Sequence, residues 1–385
     1  MKKKIAIVFN RMIVGGAEKA LLNFLDALDK ERYDITLFTL DDKGAYFDEI
    51  PDNVRVEYTG YSDTRTLLLN DLKHLRLFRL GKGLVLRILT RISRGSYEQF
   101  AYPMMLLPKF PEEYDCAIAY KLGCEDTATL LTRIRAKKKC AFVHNDTAKN
   151  KYISSLYYHL ESVTRIFCVS RCLKQHLDTL YPNLSKKTDV LYNLIDSKSI
   201  VDSSQIDLSV RLLSIPIVTV GRLSSEKGQQ MIPETARMLV DAGYDIHWYL
   251  VGDGPLREEV ERESEKHGVS DHVILLGTQS NPYPYIKNCD IYVQPSFSEG
   301  WGLTVQEARI LHKPIVTTPV PVFGEQIVSG ENGLIVDEMT PKALFDGIKT
   351  LIDHTEMREK FVENLEKEDH DNSKEMQKLY DFIES

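Results

Sequence analysis

The stretch SFSEGWGLTVQEARI, residues 296–310, sets two carboxylates, Glu299 and Glu307, on either side of a glycine-containing turn that opens an apolar helix. Gly300 and Gly302 leave the backbone amides of Gly302, Leu303 and Thr304 uncovered. Bare N–H groups at a helix start favour negative charge, a phosphate above all. With a phosphate there, Glu299 lies just ahead of the helix at the sugar end. Glu307, over a turn further in, reaches ribose hydroxyls, which a carboxylate accepts well in pairs. The plainer alternative is a capping glutamate followed by a solvent-facing one.

A second motif, VTVGRLSSEKG at residues 218–228, delivers Arg222 and then Lys227 from the end of an apolar strand. Two such cations clamp a diphosphate, Arg by paired hydrogen bonds and Lys as a point charge. Removing one donor of this kind typically costs about 2.7 to 4 kcal/mol of transition-state stabilisation. Solvated surface cations are the alternative. In VFNRMIVGGAEKALLNFL, a strand runs through a loop into Gly15, Gly16 and a helix. Those glycines permit close approach of a phosphate or sugar, or simply make a turn. VGDGPLREEVE at residues 251–261 carries G-x-G after a strand but lacks the third glycine and a clear ribose acid, which disfavours hydride chemistry. It reads as a tight strand-to-helix turn lining a cleft. His144, in AFVHND, follows a strand, and on position alone a lone histidine reads as structural.

These residues need elements to hold them. Short runs of branched apolar residues alternate with helical patterns, the mark of parallel sheets flanked by helices. Strands are predicted over 5–9, 35–40, 54–58, 116–120, 140–143 and 166–169, then over 215–220, 246–251, 273–276, 291–294, 314–317 and 333–336. The fold class is α/β, two doubly wound units in tandem over 1–195 and 196–369. A polar, serine-bearing connection runs from about 192 to 214, and a cleft lies between the units. The acidic tail from Glu363 to Ser385 reads as one or two exposed helices.

At 385 residues the chain suits two domains, and its formal charge of −7 argues against general affinity for nucleic acid. Six cysteines form no C-x-x-C pair and show no metal-ligand spacing, so neither a structural zinc site nor a disulfide framework is expected, and free thiols in a reducing compartment are. The apolar run at Ile5 to Phe9 is too short for a secretory signal, and no run is long enough to span a bilayer. One segment is basic: Arg65, Lys73, Arg76, Arg79, Lys82, Arg87, Arg91 and Arg94 stand against Asp71, interleaved with Leu68, Leu72, Leu75, Phe78, Leu86 and Leu89. A basic amphipathic helix lies on anionic membrane, or else presents a solvated face over the core.

Taken together, GGAEK at 15–19, HND at 144–146, VS at 169–170, YNLID at 192–196, GRLSSEKG at 221–228, VGDGPL at 251–256, SNPYPYIKNCD at 280–290 and PSFSEGWGLTVQEA at 295–308 resemble the retaining nucleotide-sugar glycosyltransferases of family four. The resemblance implies the GT-B fold, two Rossmann-like domains facing across a cleft, with acceptor on the first, donor on the second, and a C-terminal helix at about 370–385 crossing back onto the first. It places Glu299 on the donor sugar, Glu307 on ribose, Arg222 and Lys227 on the diphosphate, and Gly302, Leu303 and Thr304 at the phosphate-binding helix start. Thr278 and Gln279 fall near the base, Gly15 and Gly16 complete the phosphate cradle, and His144 touches the donor sugar.

The implied activity is metal-independent and cofactor-free transfer of a hexose or N-acetylhexosamine, most often from a UDP-sugar, to a saccharide or lipid-linked acceptor in cell-surface polysaccharide or glycolipid synthesis. No nucleic-acid partner is implied. A cytoplasmic, peripheral membrane position follows, with Arg76, Arg79, Lys82, Arg87 and Arg91 facing the lipid. Nucleotide-sugar epimerase, glycan phosphorylase and a catalytically silent partner subunit remain as alternatives on the same architecture.

Overall fold

The structure, a computed structural model, describes residues 2–9, 12, 15–39, 44, 46–58, 77–107, 109–145, 155–208 and 211–385, with the side chains of 77–80 outside the description. The chain divides into two compact units, residues 1–194 with 372–385, and residues 195–371.

The first unit holds a parallel sheet of seven strands in the order β3-β2-β1-β4-β5-β6-β7. They span Lys3–Val8, Tyr33–Thr39, Val54–Tyr58, Glu113–Ala119, Arg135–Val143, Arg165–Cys168 and Thr188–Val190. The central strands are continuous apolar runs because helices cover both faces of such a sheet, and Ile5 through Val8 are fully buried. The three-residue β7 is absent from the sequence expectation: TDV is too short and too polar to register as a buried run. Helix α1 (Gly16–Ala27) follows β1, and α2 (Leu77–Ile92) and α3 (Glu98–Met104) pack together ahead of β4. Next come α4 (Cys124–Thr132) and α5 (Arg171–Leu180).

The second unit opens with α6 (Ser197–Ser203), inside the stretch expected to be an irregular connection. Asp196 caps it, its side chain accepting from the Ser199 amide at 2.9 Å. Its serines and aspartates looked like loop text, but one lies at the cap and Ile200 is buried. Strands β8 to β13 (Pro216–Val220, His247–Val251, Val273–Gly277, Ile291–Gln294, Ile315–Thr317, Leu334–Ile335) form a parallel sheet ordered β10-β9-β8-β11-β12-β13. Helices α7 (Ile232–Asp241), α8 (Arg257–Lys266), α9 (Tyr283–Asn288), α10 (Leu303–Ile310), α11 (Pro341–Asp353) and α12 (Thr355–Leu365) flank it. Trp248 is fully buried in the core and its indole donates to Thr219 Oγ1 at 3.0 Å, while that hydroxyl donates to the Val293 carbonyl at 2.7 Å. The one polar group of a large core side chain is thus satisfied.

The tail is not simply exposed. Helix α13 (Met376–Glu384) buries Met376, Leu379, Phe382 and Ile383 in the first unit. Tyr380 stacks on Tyr33 with ring centroids 5.5 Å apart, and Lys3 pairs with Glu384 at 2.6 Å. The acidic composition hid an apolar stripe at helical spacing.

Candidate functional site

Strand order reverses between β8 and β11 in the second unit, and loops leaving the carboxyl ends of strands at such a reversal frame a ligand crevice. The two loops there are GRLSSEKG and PSFSEGWG. They are stitched together by backbone: the Phe297 and Ser298 amides donate to the Glu226 carbonyl at 2.8 and 3.2 Å. Gly228 makes the close approach possible. Its φ is +72°, and a Cβ there would stand 1.8 Å from the Pro295 carbonyl oxygen.

Across this junction Lys227 Nζ donates to Glu299 Oε1 at 2.7 Å. The Glu299 side chain is only 7% exposed, so the ion pair operates in a partly dry setting. The same oxygen accepts from Ser296 Oγ at 2.7 Å and from Gln294 Nε2 at 3.5 Å. Fully buried Gln294 also accepts through Oε1 from Tyr292 OH at 2.8 Å and from Thr304 Oγ1 at 3.1 Å. One amide therefore ties Glu299 to the first turn of α10. Sequence reasoning passed over Gln294, Ser296 and Tyr292. The available signal was a glutamine ending an otherwise apolar strand, where a buried polar group must find partners.

Arg222 is exposed, on the loop that follows β8. Its carbonyl accepts from Gln229 Nε2 at 2.9 Å, and the Leu223 amide donates to Asp253 O at 3.0 Å, so VGDGPL braces the Arg222 loop. Burial draws the Glu226 carboxyl upward, but hydrogen bonds from Ser224 and the backbone, with the charges of Arg222 and Lys227, hold it below the usual carboxylate range. Lys227, expected beside Arg222 as a counter-charge for a diphosphate, is engaged here by Glu299 and so is not a merely solvated surface cation.

Helix α10 begins at Leu303 with Gly302 as a left-handed N-cap (φ +83°) that offers no side-chain acceptor. The Val305 and Gln306 amides bond back to the Gly302 carbonyl, while Leu303 and Thr304 remain half-open. Glu307 is 3% exposed and accepts from Tyr283 OH at 3.3 Å, so it is neither solvent-facing nor a cap. Thr278 is exposed just beyond β10, and Gln279 beside it donates to the Leu276 carbonyl at 2.8 Å.

The remaining expected residues sit in the first unit. Gly15 caps α1 in extended conformation, and Gly16 begins the helix. Glu18, buried, folds its carboxylate back so closely that a Cβ on Gly15 would lie 2.4 Å from Oε2. This acid at the third helical position therefore lies beside the helix start where the resemblance places part of a phosphate cradle. His144 is 8% exposed at the end of β5, its ring 4.9 Å from that of Tyr120. Burial pulls its imidazole down to about 4, partly offset by a hydrogen bond with the Tyr120 backbone. It is neutral at pH 7, and Nε2 is buried without a hydrogen-bond partner among the described residues. All six cysteines are free thiols in the structure.

Of the basic segment, residues 64–76, Arg76 included, and the Arg79 side chain lie outside the description. On α2, Leu86 is buried, whereas Leu84, Val85, Ile88 and Ile92 are 56, 56, 61 and 74% exposed. Arg87, Arg91 and Arg94 are exposed beside them, and Lys82 Nζ reaches the Met105 carbonyl at 3.0 Å. The helix is thus apolar on two sides. Among the described residues no helix is long and apolar enough to cross a membrane.

Residues 214–368 match the family model "Glycosyl transferases group 1". An uncharacterized glycosyltransferase of Methanocaldococcus jannaschii is 27% identical over 58% of this chain and 59% of its own. The capsular polysaccharide biosynthesis glycosyltransferase CapM of Staphylococcus aureus is 26% identical over 52% of this chain and 55% of its own. The chain thus spans little more than half the length of these curated relatives. Among solved structures, Anabaena HepE in complex with UDP and glucose superposes with a TM-score of 0.71 at 17% identity over the whole of both chains. WaaG, a glycosyltransferase involved in lipopolysaccharide biosynthesis, gives 0.65 at 13% identity over 98% of this chain and 99% of its own. These likenesses establish the GT-B fold.

Proposed function

We propose, from the premise that this chain is a glycosyltransferase of group 1 carrying that family's domain at residues 214–368, that it moves a sugar from a UDP-sugar to a saccharide or lipid-linked acceptor with retention of anomeric configuration. The observation that carries this reading is the Lys227–Glu299 pair at the strand-order reversal, one turn ahead of the uncapped start of α10. Cation, carboxylate and helix amides are brought together where a diphosphate and its sugar need opposite things.

The diphosphate binds the amides at Leu303 and Thr304, with Arg222 and Lys227 as counter-charges. Lys227 then divides its charge between phosphate and Glu299, and Glu299, still held by Ser296 and Gln294, accepts sugar hydroxyls. As the anomeric carbon–oxygen bond to phosphate breaks, the acceptor oxygen bonds to that carbon on the same face. The acceptor's proton passes to the leaving phosphate oxygen, so no protein base is required. Negative charge grows on the phosphate as the bond lengthens, which is where fixed cations and helix amides contribute most. Two cations and a helix end supply the neutralisation, and we assign no metal or cofactor to the chemistry. Glu307 and Tyr283 are placed on the nucleoside side, with Thr278 and Gln279 near the base. Neutral His144 supplies an uncharged nitrogen for a sugar hydroxyl, and a phosphate at Gly15 and Gly16 has to share that helix end with Glu18.

A peripheral position on anionic membrane is favoured by α2, where an exposed apolar stripe is edged by Arg87 and Arg91. The deciding experiment is nucleotide release from a panel of UDP-, GDP- and ADP-sugars with native lipid extract as acceptor, comparing wild type with Lys227→Ala. Turnover of one UDP-sugar that disappears in the variant supports the reading. Turnover of another nucleotide sugar overturns the donor assignment, and no turnover by folded protein favours a silent subunit.

A further inference from the structure

The amino-terminal edge of the second sheet carries a cluster that the transfer reaction does not use. Asp245 lies two residues ahead of His247, which opens β9, and His272 immediately precedes β10. One ligand-capable atom from each of the three lies within 4.8 Å of the others. The imidazole rings have centroids 5.5 Å apart with an interplanar angle of 42°. Zinc binds imidazole nitrogen at about 2.0 to 2.1 Å, which puts each ring centroid roughly 3 Å from the ion and two rings on one ion roughly 5 to 6 Å apart. The observed ring separation falls in that interval.

A second observation points the same way. His247 Nδ1 lies 3.3 Å from the Ser214 carbonyl oxygen, and His272 Nδ1 lies 2.9 Å from that of Ile246. A carbonyl accepts only, so Nδ1 is the donor in each ring, and in the neutral tautomer this leaves the Nε2 lone pair for a ligand. Metal-binding histidines are commonly oriented in this way, one ring nitrogen donating to backbone and the other left for the ion. Both rings are half-buried and Asp245 is exposed, which leaves a path from solvent.

We propose that Asp245, His247 and His272 form a binding site for a divalent transition-metal ion such as zinc, which clips β10 to β9. Two imidazoles and a carboxylate suit such an ion, with water completing the coordination. Among the described residues β10 is an edge strand with β9 as its one sheet neighbour, so a cross-link at its start stabilises an element that has half the usual pairing. The cluster sits at the opposite strand ends from Arg222 and Glu299, roughly 17 Å away along a five-residue strand. The ion is therefore structural and separate from transfer. This departs from the sequence expectation of no structural zinc site, which rested on cysteine spacing alone, whereas these three residues are two histidines and an aspartate.

The test uses full-length protein stripped with chelator. Zinc is titrated calorimetrically, and cobalt is added in parallel to read its visible absorption. The expected result is one ion per chain, a higher melting temperature with zinc, and an order-of-magnitude loss of affinity in both His247→Gln and His272→Gln. Because these positions lie at strand ends, each variant's melting temperature without metal is compared with that of stripped wild type to verify folding. Absence of stoichiometric binding in wild type, or affinity unchanged in both folded variants, overturns the proposal. Neither outcome alters the assignment of the transfer site, whose readout is nucleotide release.

Discussion

Replacing Lys227 with alanine separates the role the structure gives that side chain from the one proposed for it. In the resting site Lys227 neutralises Glu299. In the proposed transfer its charge serves the leaving diphosphate. Loss of the first role leaves a carboxylate with 7% exposure lacking its cation, though Ser296 and Gln294 still donate to it. Uncompensated burial of a charge costs about 3 to 5 kcal/mol when complete. Here the lysine is a quarter exposed and two donors remain, which reduces the expected loss to about 1 to 2 kcal/mol. For a unit of this size that is a fall in melting temperature of roughly 2 to 8 °C. Loss of the second role removes a donor to developing charge, about 2.7 to 4 kcal/mol, or 10²- to 10³-fold in kcat. The double variant Lys227→Ala, Glu299→Gln removes the stranded charge, so it recovers most of the stability and none of the activity. Thermal unfolding and steady-state nucleotide release on the three proteins read both effects. A Lys227→Ala enzyme within tenfold of wild-type kcat refutes the catalytic role, and a double variant that recovers activity shows that Lys227 acts only on Glu299.

Other outcomes follow from the same geometry. His144 is held neutral down to about pH 4, whereas in the unfolded chain it protonates near 6.5, so the unfolded state gains a proton that the folded state refuses. Stability therefore falls as pH drops from 6.5 toward 4, by on the order of 3 kcal/mol in total, and His144→Gln flattens that slope in unfolding followed against pH. On α2, Ile88→Glu with Ile92→Glu leaves stability within about 0.5 kcal/mol, since both are exposed, yet abolishes flotation with anionic vesicles; unchanged flotation removes the membrane assignment. Gly228→Ala drives a Cβ against the Pro295 carbonyl in a left-handed conformation and separates the two loops. It is expected to cost more than about 1 kcal/mol in thermal unfolding, with nucleotide release falling in parallel. Chelator is expected to leave transfer intact, and a rate lost to chelator and restored by metal contradicts the metal-free chemistry.

Much of the architecture was legible because buried parallel strands leave long apolar runs. Ile5 to Phe9, Ile291 to Gln294 and their counterparts stand out by composition alone, and their spacing dictates helices between them. What escaped notice depends on partners distant in sequence. β7 is a strand because it pairs with β6, its own three residues saying little. α6 reads as a linker until Asp196 is seen capping it and Ile200 buried. The site shows the same division. Charges and glycines at 222, 227, 299 and 302 announce themselves by type, and a resemblance in motif order gave them roles. That Lys227 is bound to Glu299, or that Glu18 lies over Gly15, is tertiary geometry that no local pattern encodes.

That engagement of Lys227 also bears on how the proposed transferase discriminates against water. A free lysine beside an uncapped helix start would attract any anion, and hydrolysis of a donor needs little beyond charge neutralisation and access. With Glu299 as the resting partner, an arriving diphosphate must compete for the lysine, while the sugar hydroxyls that follow must satisfy the carboxylate. A nucleoside diphosphate without its sugar meets the first condition and fails the second. Binding of donor should therefore depend on the sugar more steeply in wild type than in Glu299→Gln, whose amide needs no such compensation. Measured by calorimetry, the affinity ratio of UDP-sugar to UDP is expected to fall in Glu299→Gln. An unchanged ratio would place Glu299 outside the sugar subsite and leave it as a support for Lys227 alone.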